Sequence, residues 1–140
     1  MGSLRHRRPG STGPAVEEEL QHLDLYVRVR RREQLPVADG AAVFAGADHG
    51  APASVAFLTL APGTDQAVHS HPTVEVLVAV TGRATVFLGP HQARSVRAGE
   101  IARLPAGAPH RIENCSREPF ECVLVYGSVT VDTVPAEQQS

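Results

Sequence analysis

The sequence contains no lysine, and its 13 basic residues are all arginines. Catalysis through a lysine Schiff base is therefore excluded. The longest uninterrupted apolar runs, such as Val76–Val80, are far too short to span a bilayer. The arginines near the N-terminus are not followed by an apolar segment, which argues against a secretory signal. The two cysteines, Cys115 and Cys122, do not form the pattern of a disulfide framework, and we expect a cytoplasmic protein with reduced thiols.

The charge balance gives no sign of a polyanionic partner. The net charge is −2 at pH 7 and the isoelectric point is near 6.4, so neither nucleic acid nor a membrane is expected to bind. No phosphate loop, nucleophilic triad or pair of carboxylates stands out as a catalytic centre, and no helix-turn-helix pattern suggests a DNA-binding regulator. With 140 residues, the chain has the length of one domain.

The pattern along the chain predicts one folded domain over residues 14–134 between two polar tails. Residues 1–13 are rich in Gly, Ser, Pro and Arg and are expected to be disordered, and residues 135–140 are expected to be flexible. We interpret the arginines of the first tail as a solvated terminus rather than as a binding patch. A short helix is predicted to begin at Pro14 and to pack on the rest of the domain.

Short apolar stretches separated by turn residues predict an all-β barrel or sandwich. The first strand is predicted at Leu23–Val29, where apolar and polar residues alternate, and three arginines follow it at Arg30–Arg32. We interpret these arginines as a charged strand end that blocks unwanted pairing, rather than as an anion site. Further strands are predicted at Ala41–Ala45, Ser54–Leu60, Arg83–Leu88, Ala93–Arg97, Ile101–Leu104, Arg111–Glu113, Phe120–Tyr126 and Ser128–Val134.

Two stretches carry residues that suit a metal. In the first, GTDQAVHSHPTVEVLVAVTG, His69 and His71 are two residues apart, so both imidazoles leave the same face of an extended backbone. Glu75 keeps that parity further along the chain. The second stretch, GEIARLPAGAPHRIEN, places His110 just after a turn. Three imidazoles and one carboxylate form a suitable ligand set for one divalent transition metal.

Both stretches resemble the motifs of the cupin family. The first family motif is Gly, five residues, His-x-His, three or four residues, Glu, six residues and Gly, and it is matched by Gly63, His69, His71, Glu75 and Gly82. The second motif is Gly, five residues, Pro-x-Gly, two residues, His, three residues and Asn, and it is matched by Gly99, Pro105, Gly107, His110 and Asn114.

The resemblance implies a small single-domain protein with an all-β, cupin-like jelly-roll barrel, preceded here by the short N-terminal helix. It also implies one metal ion, held by His69, His71, Glu75 and His110. Asn114 is expected to tie loop backbone through side-chain hydrogen bonds rather than to touch the metal.

The identity of the metal stays open among Fe, Mn, Ni, Cu, Co and Zn, since each accepts a nitrogen-rich ligand set. An octahedral ion keeps two neighbouring positions for water, oxygen or a chelating substrate. A tetrahedral zinc ion is complete with four protein ligands unless Glu75 dissociates. Glu75 is also the candidate catalytic residue, because it can accept a proton if its bond to the ion is labile.

Strand parity predicts a substrate pocket with mostly apolar walls, which favours a small, weakly charged ligand. No basic cluster accompanies the motifs to hold a phosphate, although Arg103 or Arg111 can reach a carboxylate. We interpret Cys122 as a small buried hydrophobe rather than as a reactive thiol. The predicted pocket residues are Phe57, Thr59, Thr73, Leu77, Ile112, Cys122 and Tyr126.

The resemblance favours a small-molecule metalloenzyme that acts on a chelating, oxygenated and largely apolar substrate. Dioxygenase, isomerase and polyketide-cyclase activities all occur within the family. The alternative is a non-enzymatic cupin that binds or senses a small ligand and uses the metal as a structural element, because fold resemblance does not separate the two. A purely structural protein has no need of four convergent metal ligands.

Open strand edges predict a homodimer. In this dimer the Leu23–Val29 strand and the Val16–Leu23 helix pack on the neighbouring subunit or exchange into it. The alternative is a monomer in which the N-terminal strand covers the edge of its own sheet.

Overall fold

The computed structural model describes residues 25–136, which form two antiparallel sheets with very little helix. The all-β, jelly-roll prediction is confirmed. The predicted helix that begins at Pro14 lies outside the described residues, as does the first tail. Within residues 25–136, no helix is long and apolar enough to cross a membrane. The chain divides after Arg30 into two compact units, and the description below concerns the second unit unless stated otherwise.

Eleven strands are found in the described part of the chain, and each is antiparallel to its neighbours. In chain order they are β1 (Val37–Ala38), β2 (Ala41–Phe44), β3 (Ser54–Leu60), β4 (His69–Ser70), β5 (Glu75–Thr81), β6 (Arg83–Leu88), β7 (Gln92–Arg97), β8 (Ile101–Leu104), β9 (His110–Glu113), β10 (Phe120–Tyr126) and β11 (Val134–Pro135). The six-stranded sheet has the order β1-β2-β3-β10-β5-β8, and the five-stranded sheet has the order β11-β4-β9-β6-β7.

Alternation along the strands explains why the two sheets face each other. In β3, β5 and β10, the apolar side chains of one face are buried, whereas most of the residues between them are only half-buried. Strand β10 pairs with both β3 and β5 and forms the centre of its sheet. Burial stabilises the fold by roughly 25 cal/mol for each Å² of apolar surface. The largest fully buried apolar side chains are Leu58, Leu77, Ile112 and Phe120.

The turn between β5 and β6 requires the glycine at the end of the first motif. Gly82 has a φ of +78°, a region that residues with side chains rarely adopt. A Cβ atom at this position would also collide with the carbonyl oxygen of Pro119. Gly82 is therefore needed for its backbone conformation and for the close approach of the loop before β10.

Two predicted strands differ in the structure. Leu25–Arg30, the described part of the first unit, belongs to no sheet, so the predicted strand Leu23–Val29 is not found over its described residues. After β10, a strand forms only at Val134–Pro135 instead of over Ser128–Val134. The Ser128 hydroxyl accepts a hydrogen bond from the backbone N–H of Thr130 at 3.3 Å, and this local bond favours a turn over a strand.

Three short elements were not predicted from the sequence. Strand β1 has only two residues, a single 3-10 turn spans Arg32–Gln34, and the helical turn α1 (Gly46–His49) lies between the predicted strands Ala41–Ala45 and Ser54–Leu60. All three are too short to leave a periodic pattern in the sequence.

Candidate metal centre

Strands β4 and β9 bring two of the motif histidines side by side. His69 on β4 pairs directly with His110 on β9. His71 follows immediately after β4, at the beginning of the loop that crosses to β5 in the other sheet. Ligand nitrogens of the three rings lie within 4.8 Å of one another. Two nitrogens bound to one ion lie at most about 4.2 Å apart, because metal–nitrogen bonds are about 2.0–2.1 Å long, so small ring movements are enough to bring all three to one ion.

Each of the three imidazoles donates a hydrogen bond from Nδ1 to a backbone carbonyl. A carbonyl oxygen only accepts, so Nδ1 carries the proton in every ring. In the neutral ring the Nε2 lone pair is then free, and this is the form in which an imidazole binds a metal. The carbonyls belong to Ala67 for His69, Asp132 for His71 and Ala108 for His110, at 2.7, 3.0 and 3.0 Å.

Glu75, the first residue of β5, approaches the histidines from the opposite sheet. Its Oε1 lies 3.1 Å from Nε2 of His71 and 3.4 Å from Nε2 of His110. All three atoms are buried, and none has a hydrogen-bond partner of acceptable geometry. Because Nδ1 holds the proton in both rings, three lone pairs face one another away from water. This arrangement is costly unless a cation or an additional proton lies between them.

The pKa values show the strength of this coupling. Burial raises the pKa of Glu75, but the contacts with His110 and His71 outweigh it and lower that pKa from 4.5 to about 2. Burial lowers the pKa of His71, but the Glu75 carboxylate and the Asp132 carbonyl outweigh it and raise that pKa above 6.5. Burial lowers the pKa of His69 below the same value. In the metal-free protein an additional proton is therefore drawn to His71 and kept from His69.

The residues present fit a divalent transition metal. A cation supplies the positive charge that the buried lone pairs require, and nitrogen-rich ligation suits Mn, Fe, Co, Ni, Cu or Zn better than Mg or Ca. The Nδ1 bonds to backbone carbonyls are the outer contacts that metal-bound histidines normally make. The prediction of a divalent transition metal is confirmed by the cluster of His69, His71 and His110.

Two further residues of the second motif fix the loops around the site. The N–H of Gly107 donates to the carbonyl of His71 at 2.7 Å, which ties the turn before β9 to a metal ligand. The fully buried Asn114 donates from its amide to two backbone carbonyls at 2.9 and 2.8 Å and accepts two hydrogen bonds from Ser116. Asn114 therefore ties loop backbone together, as expected from the sequence.

Two adjoining cavities open beside His69. The first has a volume of about 450 Å³ and is lined by His69, His71 and Tyr126 together with small and apolar residues of the six-stranded sheet and of the loop after β10. The second has a volume of about 380 Å³ and also reaches His69. Neither Glu75 nor His110 lines them, so His69 and His71 form the accessible side of the centre. Four residues line both cavities: Asp39, Gln66, His69 and Thr133.

Two of the predicted pocket residues line a cavity. Tyr126 lines the first and packs edge-on against His71, with ring centroids 4.9 Å apart. Thr59 lines the second. Phe57 lines neither cavity, because β3 buries the opposite parity and the Phe57 ring lies under the guanidinium group of Arg32, 4.8 Å away. Its assignment to the pocket is corrected to the outer face of the six-stranded sheet.

The other predicted pocket residues are packed into the protein and line neither cavity. Leu77, Ile112 and Cys122 are fully buried, and Thr73 is half-buried in the loop between β4 and β5. Alternation along the strands correctly predicted that Leu77, Ile112 and Cys122 face inward. Close packing nevertheless leaves no open space beside them. Burial and the charge of Glu75 raise the pKa of Cys122 to about 12, which keeps it a thiol.

The two arginines considered for carboxylate binding are placed elsewhere. Arg111 pairs with Asp65 at 3.1 Å and with Glu113 at 2.9 Å, and its guanidinium group covers the Phe87 ring at 4.1 Å. Arg103 is exposed on the outer side of β8. None of the arginines within residues 25–136 lines either cavity.

Sequence reasoning missed Asp39 and Gln66 at the cavity opening. The dipeptide Asp39-Gly40 predicts only a turn, and the structure has one, with φ values of +52° and +81° in the two-residue hairpin loop between β1 and β2. Gln66 occupies a position that the first motif leaves unspecified, and its Oε1 accepts the N–H of Ile112 at 3.2 Å. Neither residue carries a spacing signal, because the folding of separate loops brings them to His69.

Comparisons with known proteins agree with this fold. A family model described as a cupin domain matches residues 56–126. No curated protein matches the sequence. The crystal structure of a cupin 2 conserved barrel domain protein from Salinispora arenicola is similar, with 24% identity and a TM-score of 0.59 over 81% of this chain and 92% of that one.

Structures of oxalate decarboxylase from Bacillus subtilis are similar as well. One of them, at pH 4.6, has 24% identity and a TM-score of 0.65 over 74% of this chain. Another is described in terms of the Mn(II) centres of that enzyme. This chain spans only 30% of the length of the oxalate decarboxylase chain, and at this identity the likeness is one of fold.

Proposed function

Because the chain belongs to the cupin family, as the match over half of its length shows, we propose that it is a metal-dependent enzyme acting on a small, oxygenated and largely apolar molecule. We propose Glu75 as the fourth ligand beside His69, His71 and His110. The observation that carries the proposal is the meeting of three buried lone pairs next to a cavity of about 450 Å³.

The cavity determines how a substrate approaches. A divalent transition metal in this site supplies Lewis acidity to a chelating oxygen function. The substrate enters beside His69, since Glu75 and His110 line neither cavity. Its apolar body then packs on small and aliphatic side chains of the first cavity, including Ala41, Val43, Ala56 and Leu124.

The low pKa of Glu75 assigns it first to holding the metal. A carboxyl group with a pKa of about 2 stays ionised at neutral pH and is a weak base. Its proposed second role as a catalytic proton acceptor requires a labile bond to the metal, because a carboxylate that stays bound to a divalent cation is an even weaker base.

The charges around the cavities favour some substrates over others. Enols, β-diketones and catechol-like compounds combine a chelating oxygen pair with an apolar body, and dioxygenase, isomerase or polyketide-cyclase reactions on them suit this site. Sugar phosphates, nucleotides and dicarboxylates suit it less, because no arginine of the described part of the chain lines either cavity and Asp39 adds negative charge. For this reason the fold shared with oxalate decarboxylase does not make oxalate the proposed substrate.

Titration and turnover measurements on the full chain test the proposal. Protein loaded separately with Fe(II), Mn(II), Ni(II), Cu(II) or Zn(II) is mixed with a catechol and with a β-diketone, in air and without oxygen. Oxygen uptake supports a dioxygenase, and conversion without oxygen supports a cyclase or isomerase. Metal-dependent binding without conversion supports the non-enzymatic alternative. Equal binding by loaded and metal-free protein contradicts the proposal.

We further propose that the protein is a homodimer, because the outer face of the six-stranded sheet is apolar. Val123 pairs with Phe57 on one side and Val78 on the other, and Val78 pairs with Ile101, so one apolar row crosses four strands. Strands that are apolar on both faces are typical of sheets covered on both faces. The outer face of the five-stranded sheet is instead largely polar, with residues such as Thr85, Arg97, Arg111 and Glu113.

A second copy of the chain is the occupant that we propose for this face. Arg103 and Glu121 lie on the same outer face, on β8 and β10, so a copy related by a two-fold axis can set one charge against the other. In the first unit, Leu25, Val27 and Val29 are 65%, 92% and 74% exposed. This apolar arm is a second surface suited to packing on, or exchange with, a neighbouring subunit.

A further inference from the structure

We propose that Asp39 determines the charge preference of the metal cavity, so that it accepts ligands with a cationic or hydrogen-bond-donating group away from the chelating oxygens and rejects anionic ones. The inference rests on the proposed function and names the class of ligand that the same site takes. It concerns a carboxylate that belongs to neither cupin motif.

The position of Asp39 is the first argument. It lines both cavities together with His69, so the residue lies where the two cavities adjoin beside a proposed metal ligand. The residue is exposed, and no hydrogen bond or ion pair is found for its carboxylate within residues 25–136. A ligand can therefore contact this carboxylate without first breaking a bond inside the protein.

The balance of charge is the second argument. Apart from His69 and His71, the charged residues among positions 25–136 that line the cavities are Asp39, which lines both, and Asp65, which lines only the second. Asp65 is neutralised by Arg111 at 3.1 Å, whereas no such cation is found beside Asp39 in the described part of the chain. Among residues 25–136, no basic side chain lining the cavities screens an anionic group from this charge.

The local backbone is the third argument. Asp39 adopts a φ of +52° in a two-residue hairpin loop, which gives its side chain a defined starting direction. Only Gly, Asn and Asp adopt this conformation readily. Asn and Gly satisfy the turn equally well, so the turn alone does not require the charge.

Three catechols that differ only in their far substituent test the inference. They are unsubstituted catechol, a catechol with an ethylammonium group and a catechol with an acetate group. Each is titrated calorimetrically into the metal-loaded full chain. Wild-type protein is expected to bind the ammonium compound most tightly and the acetate compound least tightly. In Asp39→Asn the ratio of the two affinities is expected to shrink by roughly 3- to 20-fold. This range corresponds to an exposed carboxylate that weakly attracts the ammonium group and weakly repels the acetate group.

The Asn variant preserves the turn, since Asn tolerates positive φ, and its metal content should equal that of the wild type. Glu118→Gln is the matched control, because Glu118 is exposed and lines neither cavity; it should leave the ratio unchanged. If all three catechols bind equally, or the ratio survives in Asp39→Asn, the role of Asp39 is overturned and the proposed function stands. If no catechol binds metal-loaded wild type, both are overturned.

Discussion

The proton positions on three histidines are the residue-level reason to place a metal here. Each Nδ1–H is held by a backbone carbonyl, and this leaves the Nε2 atoms of His71 and His110 facing Oε1 of Glu75 without donors. A buried histidine that merely packs in a core normally has both nitrogens satisfied. This chain instead uses the backbone to aim unprotonated nitrogens at one point.

Acidification is expected to release the metal, because protons compete for the histidine nitrogens. The raised pKa of His71 favours its protonation as pH falls, whereas the lowered pKa of His69 makes that ring resist protonation. Metal content after dialysis should begin to fall below about pH 7. A bound fraction that is constant down to pH ~4 contradicts a three-histidine site of ordinary affinity.

The metal-free protein is expected to show a stability maximum that depends on Glu75. Its pKa falls from 4.5 to about 2 on folding, so its contribution is present above pH 4.5 and is lost as pH decreases towards 2. The pKa of His71 is raised, so its contribution is present below pH 6.5 and is lost as pH rises through the folded-state pKa.

Urea unfolding of chelator-treated protein over a range of pH measures the loss of stability on the acidic side and the loss on the alkaline side. In Glu75→Gln the charge that couples the two groups is gone, so the profile should be flatter on both sides. Identical profiles for this variant and the wild type would exclude the proposed coupling.

Removal of the Asn114 side chain is expected to destabilise the protein by about 2–4 kcal/mol, because several buried backbone groups lose their partners. Urea unfolding of metal-free Asn114→Ala measures this cost without a contribution from the metal. Gln92→Ala, at an exposed position, is the control and should stay within about 0.5 kcal/mol of wild type. A loss of equal size in the two variants contradicts the role assigned to Asn114.

At the scale of elements, the site depends on the packing of two sheets rather than on one motif. His69 and His110 come from β4 and β9 of the five-stranded sheet, whereas Glu75 begins β5 of the six-stranded sheet. His71 lies in the connection between the two sheets. A shift of one sheet against the other therefore separates Glu75 from the histidines, and tight turns between the sheets maintain the site.

The Gly82 turn offers a direct test of this dependence. Gly82→Ala is expected to cost about 2–4 kcal/mol of unfolding free energy, since it combines positive φ with a collision at the Pro119 carbonyl. Gly89→Ala is the matched control, because Gly89 has a φ of +60° but nothing lies within 4 Å of an added Cβ. It should cost only about 1 kcal/mol. Equal costs, measured by urea unfolding, contradict the importance of the close approach.

Local patterns predicted the elements that contain the metal ligands, but not the shape of the cavity. Ser54–Leu60 and Phe120–Tyr126 were predicted with the bounds that the structure shows, because they are long and bordered by Gly or Pro turns. Phe57 was misplaced, because parity gives two faces and does not say which one is buried. Asp39 and Gln66 were missed because they reach His69 through tertiary folding, which no local spacing records.

At the scale of the whole molecule, the two surfaces of the jelly roll differ in character. The five-stranded sheet presents arginine and glutamate to solvent, whereas the six-stranded sheet presents a row of valines, Phe57 and Ile101. Soluble monomers rarely expose a continuous apolar surface of this kind. The difference is the basis for the proposed dimer.

Light scattering at tens of micromolar is expected to give the mass of a dimer. Val80→Lys and Ile101→Lys change outer-face residues that are 50% and 68% exposed, so they should fold and shift the mass towards a monomer. Val129→Lys, at 44% exposure in the loop after β10, is the control and should remain dimeric. A monomeric wild type at this concentration contradicts the dimer, and dimeric Lys variants contradict the surface assigned to it.

The metal content of the purified full chain tests the central claim most directly. Elemental analysis after loading and desalting should find about one divalent transition metal per chain in the wild type and in His91→Ala, whose exposed imidazole lies outside the cluster. The double variant His69→Ala, His110→Ala should retain almost none, because it keeps a single imidazole of the three. Stoichiometric metal in the double variant, or none in the loaded wild type, would contradict the three-histidine centre.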